Sequence, residues 1–102
     1  MMDNEVKIIR LVTGEDIICG FLKISSDNFC VFDPMVLRVK YKEGEPSIIL
    51  THWLPVEIIK SNQVIISNRD CITIYEPSDS LSDYYTTLSS DYHRILEQKK
   101  AI

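Results

Sequence analysis

The sequence has no long hydrophobic run. Its longest uninterrupted apolar stretch is Phe29-Cys30-Val31-Phe32, far short of the roughly 20 residues a membrane-spanning helix needs. No charged start followed by an apolar stretch and a small-residue cleavage site is present, so no secretory signal is expected and the expected location is the cytoplasm. Cysteine is sparse: Cys19, Cys30 and Cys71 are an odd count without CxxC spacing. That predicts reduced thiols in place of a disulfide framework, and no thiolate metal site. The three glycines, Gly14, Gly20 and Gly44, are scattered, so no glycine-rich phosphate cradle exists. Nor is there a basic excess, since eleven Lys and Arg face fifteen Asp and Glu for a formal net charge of −4. Bulk attraction to nucleic acid is thereby excluded, because neutralised phosphates supply most of that affinity. Any such contact has to be local, made by a few positioned side chains.

What is there is an ordinary globular composition, 102 residues with 45% apolar and 25% charged, long enough for one domain with a core of its own. The chain changes character once, near Glu76-Pro77-Ser78, which divides it into residues 1–77 and 78–102. The first part is a string of short β-rich runs. Val6 to Val12 is a strand closed by the turn composition Thr13-Gly14-Glu15-Asp16. Ile17 to Ser25 follows, with Gly20 in its middle marking a bend or a close backbone approach. After Ser25-Ser26-Asp27-Asn28, the run Phe29 to Phe32 is interrupted by Asp33-Pro34, and Leu37, Val39 and Tyr41 then alternate with Val36, Arg38 and Lys40 as a half-buried antiparallel strand does. Lys42 to Pro46 is a hairpin connection to Ser47–Trp53. Val64-Ile65-Ile66 and Cys71 to Tyr75 flank a tight turn, Ser67-Asn68-Arg69-Asp70. Short strands at this spacing suggest a small barrel or sandwich.

Residues 78–102 read as an amphipathic helix: Leu81, Tyr84, Tyr85, Leu88, Tyr92, Ile95 and Leu96 share one stripe. Ser78, Asp79 and Ser80 are candidate N-caps, and Lys99 and Lys100 suit the negative end of the dipole. Such a stripe packs on the parent domain or on a neighbouring subunit. Catalysis finds no support. His52 lies in a strand pattern and His93 in the helix, neither with metal-ligand spacing, and Glu15-Asp16 reads as a solvated turn. No catalytic residue, cofactor or metal is expected.

Two stretches carry a resemblance. Val6 to Leu11, Gly14, Ile17-Ile18-Cys19-Gly20-Phe21-Leu22 and Asp27-Asn28-Phe29-Cys30-Val31 resemble the first motif of the Sm-like superfamily: an apolar strand, a turn glycine, a bent glycine-containing strand and an Asp-x-aromatic loop. Ile66 to Tyr75 resembles the second, a short basic turn between β-branched strands. The bacterial host-factor RNA chaperones and the archaeal and eukaryotic Sm proteins share this plan. The resemblance implies a mainly β fold, a small, strongly bent five-stranded antiparallel Sm-like barrel with a C-terminal α-helix, in which Phe29–Tyr41 and Ser47–Ile66 each count as one interrupted strand. It implies a homo-oligomeric ring, of roughly five to seven subunits, that binds single-stranded RNA at its pore. Carried over residue by residue, Asp27, Phe29, Asn68 and Arg69 form the RNA site, with Phe29 stacking on a base and Arg69 contacting phosphate or base. Val31 stands where the family often has Asn, and Asp70 where Gly or His follows the cation. An acid beside Arg69 opposes phosphate, so a second reading stays open: a structural ring that presents a protein-binding surface, for instance through the tyrosine-rich helix, without RNA.

Overall fold

The computed structural model describes residues 5–100, with side-chain surroundings through Ile95. Six strands and one helix follow in order: β1 (Glu5–Leu11), β2 (Asp16–Lys23), β3 (Asn28–Lys42), β4 (Glu45–His52), β5 (Gln63–Ser67), a single 3₁₀ turn (Asn68–Asp70), β6 (Cys71–Tyr75) and α1 (Asp79–Lys100). The protein is thus mainly β, an antiparallel sheet with one C-terminal helix. The strands run β4-β3-β2-β1-β6, and β5 also pairs with β3. Asn28–Phe32 pairs with β5 and Met35–Lys42 with β4, both on the edge of β3 that faces away from β2.

The expected five strands are therefore six, because residues 53–62 between β4 and β5, Pro55 among them, leave the ladder. The expected closed barrel is also corrected. Among the described residues no pairing joins β6 to β4 or β5, so the sheet of one chain is open; it is not strongly curled as expected, and its strand order differs from that of the Sm fold. The Asp33-Pro34 interruption is a bulge instead of a break. Ile18 pairs with Met35 and Gly20 with Phe32, so Asp33 and Pro34 together oppose Cys19. Asp33 takes φ +50°, the left-handed region in which Asp is better tolerated than most residues.

The bulge exchanges the faces of β3. Before it, Phe29 and Val31 join Ile9, Leu11, Ile17, Cys19 and Ile66 in one buried cluster. After it, Met35 joins Ile8, Ile18 and Tyr85 in a second, with Leu37 and Leu50 packed against it. One inserted residue reverses the two-residue alternation of a strand, so a single β3 feeds both cores. Helix α1 covers the second cluster through Leu81, Tyr85 and Leu88. It starts at Ser78, whose Oγ accepts from the Leu81 N–H at 3.2 Å, and the Lys7–Glu76 ion pair at 2.6 Å fastens the preceding segment to β1.

Beyond Val36, β3 has no β2 partner, and its remainder forms a two-stranded ribbon with β4. The half-buried pattern expected for Val39 and Tyr41 fails there: they are 46% and 74% exposed, because none of the described residues covers that end of the sheet. The ribbon turns through Glu43 (φ +57°) and Gly44 (φ +83°) between the paired Lys42 and Glu45, a two-residue turn of the I′ kind that matches strand twist.

Candidate nucleic-acid interface

The two turns singled out by the resemblance come together. Asn28 pairs with Ser67 and Phe29 with Ile66, which sets the Ser25–Asn28 turn against the 3₁₀ turn. The Asn68 backbone N–H donates to the Asp27 carbonyl at 2.8 Å, and the Asn68 side-chain amide donates to the Ser26 carbonyl. Ser25 Oγ accepts from the N–H groups of Asp27 and Asn28, both at 3.2 Å, and Ser67 Oγ accepts from the Arg69 N–H at 3.3 Å. On the far side of the 3₁₀ turn, the Val12 N–H donates to the Asp70 carbonyl at 2.9 Å. Short hydroxyl and amide side chains make these turns because they can satisfy backbone donors locally.

Within this frame the four expected residues divide. Asp27 and Arg69 are exposed, and Arg69 has no ion-pair partner among the described residues. Asn68 is exposed but its amide is already engaged with Ser26. Phe29 is 1% exposed and packs against Phe21 with ring centroids 5.2 Å apart. Its ring is packed in the core of the chain, an environment that weighs against the expected stacking role. Beside the turns lies a cleft of about 370 Å³ lined by Phe21, Lys23, Phe29, Asn68, Cys71 and Ile72. Lys23 is the cation sequence reasoning missed. It pairs opposite Phe29 across the β2–β3 ladder, a register that no local pattern reveals.

No protein-family model matches the chain, and no curated protein matches it. The arrangement therefore has to be weighed on its own chemistry: one free guanidinium and one ammonium beside two exposed acids, Asp27 and Asp70.

A second constellation forms at the β3 bulge. Asp33 accepts from Ser89 Oγ at 3.1 Å and from Asn62 Nδ2 at 3.3 Å, and both its oxygens stand 3.0 Å from His93 Nε2. The Tyr85 hydroxyl donates to the carbonyls of Phe32 and Asp33 at 3.0 and 2.8 Å, and its burial pushes its ionisation above the ordinary tyrosine range. The His52 and Tyr92 rings meet at a tilt of 58° with centroids 4.5 Å apart. The two histidines, distant in sequence, thus flank one tyrosine. The helical spacing of Tyr85, Ser89 and His93 puts these three on one face of α1, but carries no signal for what that face meets. These contacts hold β3, the 53–62 segment and α1 together. A cleft of about 450 Å³ beside them carries Asp33, Glu57, Lys60, Asn62, Tyr92 and His93.

Burial holds the thiols in their protonated form. Cys19 is fully buried, and burial pushes it up to about 12; burial also raises Cys30 and Cys71.

Proposed function

We propose that the chain is an Sm-like, homo-oligomeric ring protein whose role is structural, presenting an interaction surface from a barrel completed between subunits. The observation that carries this is the state of the sheet edges. Among the described residues β5 pairs only with β3 and β6 only with β1, and both display β-branched side chains: Ile65 is 62% exposed, Ile72 60% and Ile74 39%. Open edges of this composition recruit another strand unless charge, proline or a covering segment blocks them. Pairing β5 of one copy with β6 of the next satisfies both edges and, repeated head to tail, closes a ring. The resemblance to the Sm-like superfamily implies about five to seven copies. Ile65→Lys combined with Ile72→Lys places a charge on each edge and should convert the assembly to monomer in sedimentation velocity. A wild-type chain that sediments as a monomer at micromolar concentration overturns the reading.

A second reading, single-stranded RNA bound at the apposed turns, is favoured by the exposed Arg69 with Asn68 and Lys23 beside it. The burial of Phe29 and the acids Asp27 and Asp70 place it behind the structural one.

A further inference from the structure

We propose that the free ribbon of β3 and β4 is a docking arm for the phosphate backbone of a single-stranded nucleic acid, separate from the apposed turns. Three cations alternate along the end of β3: Arg38, Lys40 and Lys42, all exposed. Strand geometry places them on one face, about 6.8 Å apart, a repeat close to that of successive phosphates on an unstacked strand. Six described cations form no ion pair, and these are three of them; the others, Lys23, Lys60 and Arg69, are dispersed. In a chain of net charge −4, this row is the local concentration that phosphate binding requires. Its cross-strand neighbours are Ile49, Ser47 and Glu45, so one acid stands on the basic face, and Glu43 lies in the turn.

The opposite face carries the second half of a nucleic-acid site. Val39 faces Ile48 and Tyr41 faces Pro46, and Tyr41, 74% exposed, is an aromatic platform at the tip. Because the ribbon is only two strands wide, a flexible strand can lie with its phosphates along the cations and turn one base over the tip onto Tyr41. A stiff duplex cannot use both faces in this way, which selects the single strand. The contact stands without assembly; a ring would only repeat the arm and multiply weak contacts.

Fluorescence anisotropy with labelled U-rich and A-rich oligonucleotides, titrated with salt, tests this. The triple variant Arg38→Gln/Lys40→Gln/Lys42→Gln should bind at least roughly tenfold more weakly, and its log–log salt slope should fall by about 2, three contacts at about 0.7 each. Tyr41→Ala should lower affinity roughly tenfold with the slope unchanged. If the triple variant does not fold, Lys40→Glu alone carries the charge test. No binding by the wild type at low salt, an unchanged slope in the charge variants, or equal affinity for phosphatidylserine vesicles each overturns the proposal. A loss confined to Arg69→Gln assigns binding to the turns instead. Sedimentation of the same samples keeps the assembly question apart: a monomer that binds RNA through the arm sinks only the ring.

Discussion

Two residues hold left-handed backbone without being glycine, and their reasons differ. Glu43 opens the two-residue turn of the ribbon at φ +57°, where Asn or Asp is the ordinary choice; no hydrogen bond of its side chain offsets the strain among the described contacts. Glu43→Asn should therefore raise stability by up to about 1 kcal/mol in urea unfolding, whereas Gly44→Ala, at φ +83° with no atom within 4 Å of the added methyl group, should lower it by about 1 kcal/mol through backbone strain alone. Asp33, at φ +50°, is held by three side-chain donors from two other segments. Asp33→Ala keeps the strain and removes all three acceptor contacts, with an expected loss of about 2–3 kcal/mol; Asp33→Asn, which tolerates the same backbone, should lose less. An equal loss in the two variants would show that the carboxylate carries all of these contacts and the amide none, whereas an Asp33→Asn chain as stable as the wild type would show that the charge adds nothing.

At the scale of elements, β3 decides the architecture. It pairs on both edges, changes faces at one bulge and then leaves the body as a ribbon. Phe29 anchors its first half at the junction of β2, β3 and β5, so Phe29→Ala should cost about 3–5 kcal/mol and lower the denaturation midpoint sharply. A stacking role predicts a different outcome: RNA affinity lost with stability intact. The turns, the strand runs, the Ser78 cap and the start of α1 were legible because each is set by a local periodicity or a local hydrogen bond. The bulge was read as an interruption because Asp-Pro breaks alternation whether the ladder ends or merely shifts register. The Asp33–His93 contact was illegible for a plainer reason: sixty residues of chain separate its members, and only the docking of α1 across the bulge joins them.

For the whole molecule, several titrating protons act in one sense. Cys19, Cys30, Cys71, Tyr75 and Tyr85 all hold their protons more tightly when folded, chiefly through burial. Each raised value is stability fully present below the unfolded pKa and lost as pH climbs through the folded one. For Cys19 that window opens near 9.0 and runs to about 12. Within it the unfolded chain binds fewer protons, so stability should fall by up to about 1.4 kcal/mol per pH unit for the Cys19 proton, and by less for the partly exposed Cys71 and Tyr75, where water screens the effect. Urea midpoints measured from pH 7 to pH 10.5 should stay level to about pH 8.5 and then decline, and Cys19→Ala should flatten the first part of that decline. A midpoint constant to pH 10.5 would contradict the burial of these groups. Among the described residues no helix is long and apolar enough to cross a membrane.

The amino-acid order alone determined the mainly β class, the sites of the turns, the amphipathic C-terminal helix and the scarcity of positive charge, because each depends on neighbours within a turn or two of backbone. Only the tertiary structure decided that Phe29 faces inward, that the sheet of one chain stays open, that His52 and His93 share Tyr92, and that three cations of β3 stand clear of the body. Burial and edge exposure depend on what lies across the ladder and over the face, and those partners are brought together by register, bulge and helix docking over distances that no local pattern encodes.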